Sequence, residues 1–331
     1  MTNRIFALFA LLLISMNSVV AHAQVPSPAL LVLNKDDNTL AIVDPATNRI
    51  VGTAPTGDAP HEVAASSDGR FAFVSNYGPF QPDKPGTSLS IIDLVSRKET
   101  RIDVSPLRRP HGIQFAGDKV YFTAELSKAI ARFDPQALKL DFVLGIGQNR
   151  THMLVVAKDL NTIFTANVQS NSISVIEKTS GPEEWNETVI PVGKGPEGCD
   201  LSPDGKEFWA ANSGDGSVSV IDVAAKKVVQ TFDVGTKHSN RLKFTPNGKQ
   251  VLVSDVGSGD LVVIDASARK PIKKLHLGKS TEGILVVPDG SRAYVAVSGD
   301  NKVAIIDLKT LAQTGEIATG HDPDGMAWVG H

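Results

Sequence analysis

Cysteine is almost missing from this sequence of 331 residues, with Cys199 the single example. One thiol excludes a disulfide framework, any CxxC metal or redox motif and a CxxCH haem site. An excess of one charge is missing as well. The 33 basic and 36 acidic residues leave a net charge of −3, which gives no reason to expect a nucleic-acid partner. No GxSxG elbow and no P-loop is present, which removes two common routes to catalysis. Beyond the first 23 residues no segment is long and apolar enough to span a bilayer. Helix signals are scarce, whereas glycine (28) and proline (19) are plentiful and 41% of residues are hydrophobic. That balance describes a globular chain of strands and turns, not a disordered or collagen-like one.

The N-terminus reads as an address. Arg4 supplies a positive n-region, Ile5 to Ile14 is an unbroken apolar run, and Ala21-His22-Ala23 is a small-x-small cleavage site. Residues 1–23 are therefore expected to be a signal peptide and residues 24–331 a single exported domain, periplasmic or secreted. A lone cysteine suits an oxidising compartment, and its place in a strand marks it as a small core residue.

The remaining chain repeats. A short apolar stretch ending in an acid recurs as Leu40-Ala-Ile-Val-Asp44, Leu89-Ser-Ile-Ile-Asp93, Ile130-Ala-Arg-Phe-Asp134 and Ile173-Ser-Val-Ile-Glu177. It continues as Val218-Ser-Val-Ile-Asp222, Leu261-Val-Val-Ile-Asp265 and Val303-Ala-Ile-Ile-Asp307. The acids stand 49, 41, 43, 45, 43 and 42 residues apart, the period of propeller blades made from four short strands. A strand ending in a polar residue precedes each: Asn34, Asn76, Glu125, Asn167, Asn212, Asp255 and Ser298. Asp68-Gly69, Asp204-Gly205, Asn247-Gly248 and Asp289-Gly290 are tight-turn pairs between strands. Seven copies predict an all-β, seven-bladed β-propeller of four-stranded blades. The first blade lacks an innermost strand, and Asp324-Gly-Met-Ala-Trp328 supplies one, so the two ends of the domain should share a blade and close the ring.

These motifs resemble the YVTN family of seven-bladed propellers, a group similar to bacterial lactonase-like propellers, over nearly the whole of residues 24–331. The resemblance implies a ligand or metal site at the upper mouth of the central channel. Aligning the repeats places one polar residue per blade at the start of the innermost strand: His61, His111, His152, Glu197, Asn240, Glu282 and Asp324. Most are followed by a small or apolar residue.

His61, His111, His152 and Glu197 form a set that suits zinc, iron or manganese; a hard cation such as calcium prefers oxygen donors and fits less well. Glu197, Glu282 and Asp324 are the candidate catalytic carboxylates. A wet, polar channel mouth without any ion remains the alternative. Most of the strand-end asparagines are expected to be structural. Arg108, Arg109, Arg150, Lys194, Lys237 and Lys279 lie in the loops just ahead of the ring, where a cationic rim would attract an anion. The insertion Tyr77 to Gly86 is placed to cap the mouth with Tyr77 and Phe80, while Lys178 to Thr188 belongs on the lower face.

Two functions follow as expectations. One is an exported, monomeric propeller that binds a small anionic ligand, a metal or a protein partner at its upper face, with Arg108, Arg109, Arg150, Asn240 and Tyr77 as binding residues. The other is a metal-assisted, lactonase-like hydrolase or lyase using the His/Glu ring.

Overall fold

The computed structural model describes residues 27–81, 83–181 and 184–330. The expected signal peptide lies outside the described residues. The described residues form seven four-stranded antiparallel sheets. The innermost strands are Pro60–Ala65, Pro110–Ala116, Thr151–Val156, Pro196–Leu201, Ser239–Phe244, Thr281–Val286 and Pro323–Val329. Each packs against the innermost strands on either side, and the series returns on itself, so the sheets are blades around a channel. The strand Pro323–Val329 pairs with Ala29–Asn34, and the residues from both ends of the described chain share one sheet as the repeat arithmetic requires. That sheet is blade 1, and the sheets beginning at Pro60, Pro110, Thr151, Pro196, Ser239 and Thr281 are blades 2 to 7.

The strand pattern follows from what each strand touches. Middle strands such as Phe71–Asn76 and Ser88–Asp93 are buried along nearly their whole length, because both faces lie against neighbouring blades. Outer strands such as Lys139–Gly145 alternate between half-buried and exposed. The core is accordingly a set of seams between blades. One joins Leu31, Leu33 and Ile42 of blade 1 to Val63, Val74 and Ile92 of blade 2. The next joins Phe73 and Leu89 to Phe122 and Phe133. Cys199 sits in such a seam beside Phe164 and Phe208, and burial pushes its thiol up to about 12.

The recurring acid that marks the repeat is a turn-former. Asp44 accepts the Ala46 N–H at 2.9 Å, Asp93 the Ser96 N–H at 2.8 Å, and Asp307 the Thr310 N–H at 2.7 Å. Each carboxylate thereby closes the hairpin to the outermost strand. These bonds also hold the three carboxyls below their ordinary value.

The asparagines that end the second strands are structural too. Asn76 accepts the Gly57 N–H at 3.0 Å and donates to Ser90 Oγ at 2.9 Å, and Asn167 and Asn212 bond Ser174 and Ser219 in the same way.

Candidate functional site

One irregularity repeated around the ring builds the channel mouth. Pairing between the first and second strands slips just after the innermost strand begins, between Pro60 and Glu62, Pro110 and Ile113, Thr151 and Leu154, and at matching places in the other blades. The residues left out of the ladder are the ring residue and, except in blade 2, its follower, and the bulge turns the ring residue towards the channel. The inner backbones lie close here. A Cβ on Gly283 would sit 2.1 Å from the Asp324 carbonyl oxygen, and one on Gly325 2.3 Å from that of His61, which is why small followers recur. Two residues ahead of the ring, Ala59, Arg109, Arg150, Ser280 and Asp322 take φ between 47° and 60°.

All seven ring residues line one cavity of about 200 Å3, together with Lys35, Tyr77, Phe80, Arg150, His238 and Arg241. Its two sides differ. On one, His61, His111 and His152 stand in sequence, with ring centroids 5.1 Å and 3.8 Å apart. All three are buried. Burial holds His61 down to about 4, and burial with the neighbouring His152 and His61 holds His111 well below its ordinary value. Both rings are neutral at pH 7. His61 Nδ1 donates to the Ala59 carbonyl at 2.8 Å, and His152 Nδ1 pairs with Glu125 Oε1. Glu125 Oε2 accepts the Tyr77 hydroxyl at 2.6 Å, and Arg109 donates to the same hydroxyl oxygen at 3.1 Å.

The other side is ionic. Lys35 pairs with Glu282 and lies 3.4 Å from both Asp322 and Asp324. Burial alone would lower Lys35, but Asp324, Glu282 and Asp322 outweigh it and raise its pKa. Burial and then Asp324 push Glu282 up to about 7, against the pull of Lys35. Asp324 is held low by Lys35 and Arg241, which overcome its burial.

Arg241 reaches across the channel from blade 6 to Glu62 of blade 2, its Nε donating at 2.9 Å. Arg241 lines both the ring cavity and a second cavity of about 430 Å3 lower in the channel, so this pair stands as a floor between them.

Glu197 and Asn240 lie between the two sides. Asn240 donates to Glu197 at 3.2 Å and accepts from Arg241 at 3.0 Å, which commits both ends of its amide. Glu197 lies 3.6 Å from His152 Nε2 and 3.7 Å from the Nε2 of His238, a mostly exposed loop residue.

Of the basic residues ahead of the ring, Arg109 and Arg150 reach the cavities at the mouth. Arg150 lines the ring cavity, and Arg109 and Arg150 line an adjoining cleft of about 460 Å3 with Lys128, Tyr77, Phe80 and Glu125. Arg108, Lys194, Lys237 and Lys279 are exposed and line neither. The residues that sequence reasoning did not place at the site are Lys35, Glu62, Glu125 and Arg241. The first is a loop residue after Asn34, with no pattern to mark it. The other three break a pattern: Glu62 and Arg241 are charged where most ring residues have a small or apolar follower, and Glu125 alone among the strand-end residues is a glutamate.

A closed ring of seven four-stranded blades, with a polar residue from every blade around a shared cavity, defines a seven-bladed β-propeller with a ligand-sized channel mouth. No family model and no curated protein matches the chain. Solved structures do match it in fold. A 6-phosphogluconolactonase-like protein from Bacteroides uniformis aligns with a TM-score of 0.77 at 14% identity, over 92% of this chain and 99% of that one. The periplasmic gluconolactonase of Pseudomonas aeruginosa aligns at 0.73 and 15% identity, over 92% and 99%. Hydrazine synthase of Kuenenia stuttgartiensis aligns at 0.67 and 22% identity, over 81% and 89%. The structural neighbours thus include lactonase-like propellers, and the likeness is one of fold.

Proposed function

We propose that this chain is an exported binding propeller that takes a small anionic ligand, a carboxylate or a phosphate, at the upper mouth of its channel. The observation that carries this reading is Arg109. Its guanidinium lies 4.8 Å from the Tyr77 ring centroid and 6.0 Å from that of Phe80, yet its Nε is buried with no hydrogen-bond partner. A buried cationic donor without an acceptor is costly, and an anion in the cleft would satisfy it. Tyr77, Phe80 and Arg150 wall both the cleft and the ring cavity. A ligand lying across that wall would set its anionic group among Arg109, Arg150 and Lys128 and its polar body against the neutral imidazoles of His61 and His111.

Export rests on the n-region, apolar run and cleavage pattern of residues 1–23. Among the described residues no helix is long and apolar enough to cross a membrane.

The test is titration calorimetry with gluconate and with inorganic phosphate at low and high salt. Binding that weakens with salt supports the reading; no heat from either anion at low salt would contradict it.

A second reading, a lactonase-like hydrolase, is favoured by Glu282. A carboxyl with a pKa of about 7 on the cavity wall is suited to take a proton from water at neutral pH and to return it to a leaving oxygen. Under this reading Glu282→Gln abolishes ring-opening of gluconolactone above the spontaneous rate while gluconate still binds. An unchanged rate in that variant would remove Glu282 from any such role.

A further inference from the structure

We propose that His111, Glu125 and His152 form a binding site for a divalent transition metal, set into the wall between blades 3 and 4. Among the described residues this is the one group of three or more possible ligand side chains whose donor atoms all lie within 4.8 Å of one another. It differs from the set His61, His111, His152 and Glu197 by exchanging two ring residues for a carboxylate from a second-strand end.

Two further observations point to a ligand. His111 Nδ1 is a buried ring nitrogen without a hydrogen-bond partner, in a residue only 2% exposed. Polar atoms buried this deeply are seldom left unpaired in a folded protein. The chemistry of the set also fits. Two imidazoles and one carboxylate are the donors of open zinc and non-haem iron sites, with metal–ligand bonds of about 2.0–2.2 Å. Both histidines line the ring cavity, from which water or a bound anion can fill the remaining positions.

The surroundings supply what such donors need. The Tyr77 hydroxyl holds Glu125 Oε2, and Arg109 holds that hydroxyl, so the carboxylate is oriented from outside. Arg150 Nε, 3.6 Å from Glu125 Oε1, works against these supports, its positive charge opposing a cation. His152 now directs Nδ1 at Glu125, with Nε2 3.6 Å from Glu197 Oε1. Metal binding moves the ring proton from Nδ1 to Nε2, where it stays and points at Glu197 Oε1, and Nδ1 is freed as the donor to the metal. Proton count and charge on the imidazole are unchanged. His61 has Nδ1 engaged by the Ala59 carbonyl and takes no part.

This site shares His111 and the cleft wall with the anion-binding reading, but it is tested separately, with the metal alone. Chelator-treated protein is titrated with Co2+ and followed by visible absorption, then competed with Zn2+. One equivalent with ligand-field bands in the visible is expected. Glu125→Gln, His111→Ala and His152→Ala should each weaken Co2+ binding at least 100-fold, and Tyr77→Phe about tenfold, as outer-sphere partners do. His61→Asn should stay within threefold of the parent. Histidine ring NMR of the unaltered protein guards against variants that fail to fold: Zn2+ should shift the His111 and His152 resonances and leave His61 in place. Absence of stoichiometric Co2+ binding, full affinity in Glu125→Gln, or a loss in His61→Asn equal to that in His111→Ala would each overturn the assignment.

Discussion

Replacing Arg150 with glycine separates binding from folding at the channel mouth. Arg150 sits at φ 53°, a left-handed conformation that costs a non-glycine residue about 1 kcal/mol and costs glycine almost nothing. Its ion pair with Glu125 spans 3.6 Å from a side chain that is 36% exposed, and the buried Glu125 keeps its His152 and Tyr77 partners without it, so losing the pair should cost under about 1 kcal/mol. Relief of the backbone and loss of the pair oppose each other and are of similar size. The melting temperature should therefore stay within about 4 °C of the parent.

Binding should not be spared. Losing one charge-assisted hydrogen bond to an anion costs roughly 1.5–3 kcal/mol, or a 10- to 150-fold rise in Kd. The partial exposure of Arg150 argues for the lower end. Calorimetry with gluconate reads the affinity, and scanning calorimetry reads the stability. A stable Arg150→Gly variant that binds gluconate as tightly as the parent would refute the reasoning.

Three further outcomes follow from the same geometry. Glu282 keeps its proton in the folded protein up to about pH 7, against 4.5 as its ordinary value, so its contribution to stability falls as pH rises between them. Glu282→Gln removes that titration, and its melting temperature relative to the parent should climb from pH 4.5 to 7, the histidines cancelling in the difference; parallel profiles would contradict the raised pKa. Arg241→Met strands Glu62 in the channel and should cost about 3–5 kcal/mol in urea denaturation, much of which Arg241→Met/Glu62→Gln recovers; a stable single variant would show that the pair does not matter. Ending the chain at Asp322 deletes the inner strand of blade 1 and should lower the melting temperature by about 10 °C or more, and an unaltered midpoint would disprove closure through the shared blade.

The fold was legible because each blade solves the same problem with the same residues. A buried middle strand needs a continuous apolar run, and its hairpin to the outer strand needs an aspartate to accept turn N–H groups, so both recur at a fixed period. The ring was legible for a related reason. A bulge in every blade puts a polar residue at one alignable position, and all seven of those residues line one cavity.

What escaped were contacts between elements far apart in the chain. Glu62 and Arg241 are 179 residues apart and meet only because blades 2 and 6 face each other across the channel. Glu125 belongs to a series whose asparagines serve neighbouring serines and loop amides. Its longer side chain instead reaches His152 of the next blade. The cationic rim was over-read: Arg108, Lys194, Lys237 and Lys279 stand three residues ahead of the ring and are exposed, whereas Arg109 and Arg150, two residues ahead, line the cleft or the ring cavity.

The most direct measurement is an amide NMR titration of the protein with gluconate, which locates the anion without presuming any residue. The account predicts shifts concentrated around Arg109, Arg150 and Lys128, in the Tyr77–Gly86 loop, and at the starts of the inner strands carrying His111 and His152. Shifts confined to the lower face around Pro203 and Gly248, or none at millimolar gluconate and low salt, would contradict it.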